Sequence, residues 1–418
     1  MSLLKKILGT IGVRYLVAAL NLALIFINAK ILGVSGMGLT GIIYASANIA
    51  LIFNSILCGN TIVYFMNRVD FRYVYWPAYL WAFLGSAVAC GVMKLLGMLP
   101  AGFEFDVYGL AVLLSLIAVH SRILLGKDHI RGFNITYLLQ GGLLFFSILY
   151  FYFVAGFRDA RGYLWGLYVS NAVAWVVSLL LIIPYFMRRS GERLSAPLSI
   201  PKFLKEMIVY GLWSSADNLA EGLTTRLNYF LIQRLSGYGH VGLLDAGTKI
   251  SESVWHISRS VSFISYSQVA KTLDREEQRQ MTLRFFKLTF CAITFVVGVI
   301  LFIPEWVYTD YLFSAEFAGI RKVICALSVG VIAFGSNNVL SHYFIGTGKV
   351  RYSTACSCLG LVILLISGYF LISVYGVFGA AISTSIAFSG MLTFSLVVFT
   401  KLTGTKIKEL FIIRSVPY

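Results

Sequence analysis

Apolar runs of about 20 residues or more follow one another along the whole chain, separated by short polar connections. A run of that length is what an α-helix needs to cross the hydrocarbon of a bilayer, where backbone N–H and C=O groups must be satisfied within the segment. Composition agrees: of 418 residues, 58% are hydrophobic and 12% charged, with a mean hydropathy of +0.82. The expected fold is all-α and polytopic, with about twelve transmembrane helices. They are placed near 11–32, 39–64, 74–98, 107–126, 134–155, 162–187, 206–233, 239–268, 284–306, 318–344, 351–374 and 377–400. Lys5 and Lys6 before an apolar run imitate a signal peptide, but Arg14 interrupts that run and it continues to Leu32, so a retained first membrane helix is expected.

Basic residues choose the orientation. Lys5, Lys6, Arg68, Arg72, Arg122, Lys127, Arg131 and most later Lys and Arg residues fall on one side; only Lys30, Lys94, Arg158, Arg161, Arg234, Arg321 and Lys322 fall on the other. The positive-inside rule then places both termini in the cytoplasm. The net charge of +16 is a topology signal and calls for no nucleic acid. The six cysteines all lie in apolar runs without metal-ligand spacing and read as small buried residues, so no metal site is expected.

The chain repeats itself. "HSRILLGK" (120–127) and "HYFIGTGK" (342–349) share His, Gly and Lys at the same offsets, and each closes the fourth helix of a half. "AKILGVSGMGL" and "QRLSGYGHVGL" match Gly33 with Gly237, Gly38 with Gly242 and Leu39 with Leu243; Gly166 and Ser170 match Gly379 and Ser383. Six helices per half give two pseudo-repeated bundles of one orientation, expected to flank a central cleft. The expected divisions are an N-terminal bundle 1–187, a basic cytoplasmic linker 188–205, a C-terminal bundle 206–400 and a basic cytoplasmic tail 401–418.

Polar groups inside hydrocarbon are costly, so the rare ones mark function. In "LLDAGTKISESVWHISRS" (243–260), Asp245, Lys249, Glu252, His256 and Arg259 stand 4, 3, 4 and 3 residues apart, one stripe of a helix. On the preceding span Asp217, Glu221, Thr224 and Asn228 form another stripe, with Arg226 on the opposite face; the first span carries Arg14, Asn21 and Asn28. Either these charges neutralise one another, as Asp245 with Lys249 and Lys249 with Glu252 can, or they line a hydrated cleft. Arg14 and Arg259 lie near cytoplasmic helix ends, where basic side chains also snorkel to headgroups. The matched positions of His120 and His342 at helix ends favour a structural role; His256, inside the stripe, is the better titrating group.

No GxSxG, HExxH or P-loop is present, and no large outer loop could hold a polymerase or glycosyltransferase site. A non-enzymatic secondary transporter remains. The segments "AKILGVSGMGLTGIIYASANIALIFNSILCGN" and "HYFIGTGKVRYSTACSCLGLVILLISGYFLISVYGVFGAAISTSIAFSG", with twelve helices in two halves, resemble the polysaccharide (O-antigen or Wzx-type) flippases of the multidrug/oligosaccharidyl-lipid/polysaccharide exporter superfamily. The resemblance implies a bacterial inner-membrane protein that moves an undecaprenyl-pyrophosphate-linked oligosaccharide to the outer leaflet by alternating access, for lipopolysaccharide O-antigen, capsule or exopolysaccharide synthesis. Membrane lipids and glycan polymerase or assembly proteins are the implied partners. Cationic lumen residues would face the pyrophosphate, and Arg14, Arg226, Lys249 and Arg259 match that role; Asn21 and Asn228 complete the expected substrate-binding set. No cofactor is implied beyond coupling to H+ or Na+, for which Asp217, Glu221, Asp245, Glu252 and His256 are the candidates. The interleaved carboxylates depart from an all-cationic lumen. They leave open a multidrug/cation antiporter, and a scramblase or assembly scaffold would need no coupling carboxylate.

Overall fold

The computed structural model describes residues 3–66, 68–127, 129–187, 199–269, 272, 274–406 and 409, with side chains from residue 12 onward except at 71, 263 and 267. The fold is all-α, 90% helical, with no strand among the described residues. All twelve expected segments are helical. Among the described residues eight helices are long and apolar enough to cross a membrane, and two of them, Gly12–Phe65 and Val350–Thr403, each carry two expected spans, which accounts for ten of the twelve. The other two are the charged pair around residues 206–268. The chain is a multi-pass membrane protein. Most of the basic linker (188–198) and the tail after residue 409 lie outside the described residues, as do 407 and 408.

The chain divides into two compact units, residues 1–222 and 223–418. The first opens with α1, Leu3–Cys58, which holds two spans joined at Gly33 (φ 66°, ψ −176°), a conformation open to glycine alone. After a break at Gly59 comes the short α2, Asn60–Phe65, then α3 (Phe71–Leu95), α4 (Glu104–Gly126), α5 (Ile130–Leu149) with a π turn at 150–154, and α6 (Ala160–Met187). Asp70 caps α3 by accepting from the Arg72 amide at 3.0 Å. The unit then takes in the first part of α7, Ile200–Ser236, because small residues let that helix lie directly on α1. A Cβ at Gly211 would overlap the Ile56 carbonyl and one at Gly222 would overlap Ile52, while Ser55 Oγ donates to Ser215 Oγ at 3.0 Å.

The second unit takes over within α7 at Leu223 and turns at Gly237 (φ 82°, ψ 179°) into α8, Tyr238–Ser253. It continues through α9 (Trp255–Val269), α10 (Arg275–Phe302), a π turn at 307–312, α11 (Ile320–Gly346) and α12 (Val350–Thr403). Two spans in α12 join at Gly376 (φ 55°). The matched fourth helices, α4 and α11, are the most buried span of their own units. Beyond α12, Arg279 of α10 binds Glu409 at 2.7 Å, and this guanidinium holds the Glu409 carboxyl below the usual carboxylate range.

Two expectations need correction. The span expected as one helix over 239–268 is two, because at Val254 the ladder tightens to i→i+3 bonds (Val254 N to Ser251 O, Ile257 N to Val254 O). The cysteines are all free thiols, but only Cys58, Cys90 and Cys356 are buried; Cys291, Cys325 and Cys358 lie on exposed faces, where a polarisable apolar side chain suits lipid.

Candidate functional site

The second unit holds a charged network at its first hairpin. The Gly237 turn brings α8 back along α7, so that Tyr229 and Asp245, each eight residues from the glycine, come side by side. Tyr229 Oη donates to Asp245 Oδ1 at 3.2 Å. Lys249 Nζ lies 2.7 Å from Asp245 Oδ2, close enough for an ion pair, although Oδ2 receives no hydrogen bond of good angle. Farther from the turn, Arg226 and Glu252 form a bidentate pair, Nη1 to Oε1 at 2.9 Å and Nη2 to Oε2 at 2.7 Å. Arg226 also donates to Tyr229 Oη at 3.3 Å, its Cζ 5.4 Å from that ring's centroid. Tyr229 therefore joins both ion pairs in one circuit. The stripe pattern does not single it out, although it sits one turn beyond Arg226 on the same face.

The two pairs differ in access. The Asp245 side chain is 3% exposed, whereas Arg226 and Glu252 are 27% and 18% exposed. Glu252 also forms part of the wall of a narrow recess with Thr225, Thr248, Ser251, Trp255 and Thr384. Ser251 is 4% exposed and its Oγ has no hydrogen-bond partner. The Trp255 indole fixes the apolar side of the recess by donating to Val331 O at 3.0 Å and packing on Phe334 and Phe388.

The candidate residues fall into three groups. Arg226, Lys249, Asp245 and Glu252 come together: Asp245 pairs with Lys249, as their i,i+4 spacing allows, whereas Glu252 pairs with Arg226 of α7 in place of Lys249. Asn228 is buried and donates from Nδ2 to Ala380 O, Ser383 Oγ and Thr384 Oγ1 at 2.8–3.0 Å, which ties α7 to α12. Beyond the tightened turn at Val254, His256 is half-buried on α9, and Arg259 is exposed and makes no hydrogen bond or ion pair among the described residues. Asp217 and Glu221 belong to the first unit, half-buried and engaged. In that unit Asn28 accepts from Tyr152 Oη at 2.9 Å, Asn21 is half-buried, and exposed Arg14 has its Cζ 6.0 Å from the Tyr137 ring. Among the described residues no group of His, Cys, Asp and Glu could hold a metal ion.

No family model matches the sequence, and no curated protein matches it. Solved structures do match, over nearly the whole chain. One is an inward-facing multidrug resistance MATE family transporter of the MOP superfamily, with TM-score 0.66 and 15% identity, covering 93% of this chain and 94% of that one. Another is the lipid II flippase MurJ in an inward closed conformation, with TM-score 0.73 and 12% identity, covering 97% and 89%. A third is a MOP superfamily transporter from Pyrococcus furiosus, described as having a binding pocket of reverse polarity, with TM-score 0.55 and 17% identity, covering 96% and 94%. At these identities the likeness establishes a shared fold, that of MOP-superfamily transporters.

Proposed function

We propose that this protein is a flippase for an anionic, lipid-linked oligosaccharide of the undecaprenyl-pyrophosphate type, serving synthesis of a surface glycan such as O-antigen, capsule or exopolysaccharide. It would act in the bacterial inner membrane with both termini cytoplasmic. One observation carries the reading: the carboxylates of the charged network are each matched by a cation, Glu252 by Arg226 and Asp245 by Lys249, while Arg259 on the following helix has no ion pair among the described residues. A network whose carboxylates are already neutralised, with the further cation Arg259 on α9, favours a pyrophosphate headgroup over a cationic drug. Desolvating the headgroup and sugar hydroxyls is the barrier to unassisted flipping, and polar groups in a protein path replace that lost water. With an inside-negative potential, outward movement of each headgroup charge is favoured by about 2.3 kcal/mol per 100 mV.

The test is complementation of a strain deleted for this gene, scoring surface glycan and the leaflet on which lipid-linked precursor resides. Wild type should restore surface glycan, whereas Arg259→Ala and Arg14→Ala, at matched expression, should strand precursor on the cytoplasmic leaflet. A deletion that spares surface glycans and alters drug sensitivity would hand the function to the multidrug/cation antiporter reading.

A further inference from the structure

The network of Arg226, Glu252, Asp245 and Lys249 is electrically neutral, two cations against two carboxylates. A bound anion would therefore leave an uncompensated negative charge in a poorly solvated place, unless one carboxylate gives its charge up. The two carboxylates are not equally able to do so. Asp245 is closed off, held by Lys249 on one oxygen and by the Tyr229 hydroxyl on the other. Glu252 is more open, and it borders the recess in which the Ser251 hydroxyl is buried without a partner. Arg226, for its part, also donates to Tyr229 Oη, a contact that does not run through Glu252.

We propose that Arg226 is an anion site kept closed by the protein's own Glu252, and that a phosphate-bearing headgroup binds there by taking Glu252's place as the carboxylate turns into the adjoining recess and picks up a proton. The proton comes from water; the carboxylate becomes a neutral carboxylic acid whose O–H finds an acceptor in the unpartnered Ser251 Oγ. Phosphate oxygens then occupy the fork geometry that the carboxylate oxygens hold now, which a guanidinium accepts equally well. The carboxylate charge given up offsets one charge of the incoming headgroup. The ionisable neighbours are Arg226 and Tyr229 on α7, Asp245 and Lys249 on α8, and His256 and Arg259 on α9. From α11 and α12 the recess receives only neutral side chains, among them Leu327, Val331 and Thr384. The proposal rests on the flippase reading for its ligand, and it adds that headgroup binding and proton uptake at Glu252 are one event.

The experiment is calorimetric titration of the purified full-length protein with geranyl pyrophosphate and, separately, inorganic pyrophosphate. Repeating it in two buffers of different ionisation enthalpy counts the protons taken up per ligand. Wild type should take up about one proton more than Glu252→Gln, with the ligand's own titration cancelling in the difference, and its affinity should fall about tenfold more per pH unit than the variant's once Glu252 is ionised. Glu252→Gln should bind at least as tightly as wild type at neutral pH, and Arg226→Gln should bind at least roughly tenfold more weakly. Binding of geranyl pyrophosphate alone would assign the site to a lipid-borne headgroup, and binding of both ligands to the diphosphate itself; either upholds the exchange. Equal proton counts for wild type and Glu252→Gln, weaker binding by Glu252→Gln, or no binding to wild type would overturn it. The conservative Glu252→Gln substitution carries the test if Arg226→Gln fails to fold. Failure here is separable from failure of the flippase reading, which is scored with Arg14 and Arg259 variants that leave this pair intact.

Discussion

The helical hairpin that turns at Gly33 and the one that turns at Gly237 share a backbone and differ in chemistry. The two glycines have nearly the same dihedrals, φ 66° and ψ −176° against φ 82° and ψ 179°, in a region where any Cβ is strained. Counted in register from those glycines, Arg226, Asp245, Lys249 and Glu252 correspond to Leu22, Gly41, Ala45 and Asn48. Ala45 is packed away in the first unit, and Asn48 bonds to its own helix, at Tyr44 O. The first hairpin thus forms the same turn with uncharged residues at all four positions. The charges of the second hairpin are therefore not a requirement of the turn, and their place in the molecule calls for a role other than forming it.

The sharpest way to break the comparison is to write the first hairpin's residues into the second. Arg226→Leu alone leaves Glu252 partly buried without its cation, a loss of about 3 kcal/mol, toward the lower end for a broken pair because both groups keep some solvent contact. The double variant Arg226→Leu/Glu252→Asn removes both charges and should recover to within about 1 kcal/mol of wild type. Thermal unfolding of the purified proteins reads the stability order, and surface glycan in the deletion strain reads transport. The expected pattern is a stable double variant that does not transport. A double variant as unstable as the single one, or one that exports normally, would return the network to a structural role.

The architecture is legible in the sequence because hydrophobic length and glycine position are local properties. Apolar runs give spans, and a glycine between two of them marks the turn, so both Gly33 and Gly237 stand out in the amino-acid pattern. The pairing of Glu252 with Arg226 is not legible, because it depends on the register of two helices, and the tightening at Val254 breaks the regular spacing between Glu252 and the later His256 and Arg259. The division inside α7 is hidden for a similar reason. Gly211, Ser215 and Gly222 bind that helix to α1 by close backbone approach, and small residues leave no hydropathy signal.

A second contrast lies in the matched histidines. His120 is fully buried: Nε2 is 2.8 Å from Tyr79 Oη and Nδ1 is 2.7 Å from Ser178 Oγ. Trp175 Nε1 donates to the same tyrosine at 3.1 Å, and Ser178 donates to the Trp175 carbonyl at 2.9 Å. Because the Ser178 hydroxyl donates to the Trp175 carbonyl, its oxygen accepts from the ring, which assigns a proton to His120 Nδ1 from the network itself. His342 is half-buried, with Nδ1 2.7 Å from Asn338 O one turn back on its own helix. His120→Ala takes the ring partner from both the half-buried Tyr79 hydroxyl and the buried Ser178 Oγ and should cost about 2 kcal/mol more than His342→Ala, read as the difference in thermal stability. Equal losses would mean that the sequence match extends to an equal structural duty, contrary to what the two environments provide.

The smallest expected difference tests how far the repeat reaches into chemistry. Ser170 and Ser383 are both fully buried, and both donate to a carbonyl three residues back, Leu167 at 3.1 Å and Ala380 at 2.9 Å. Ser383 has a further task, accepting from Asn228 Nδ2 at 3.0 Å. Ser170→Ala removes a hydroxyl together with its local bond and should change stability by less than about 0.5 kcal/mol, since the Leu167 carbonyl keeps the Asn171 Nδ2 donor at 2.8 Å. Ser383→Ala takes an acceptor from Asn228, but Nδ2 still reaches Ala380 O and Thr384 Oγ1, so the loss should stay near about 1 kcal/mol. Thr384→Val added to Ser383→Ala removes that reserve and should cost more than the two single changes combined, because the buried amide then has one acceptor for two N–H groups. Strict additivity, measured in a double-mutant cycle by chemical or thermal unfolding, would show that Asn228 reorients instead of depending on α12, and that the extra bond distinguishing the second copy of this position carries no energy.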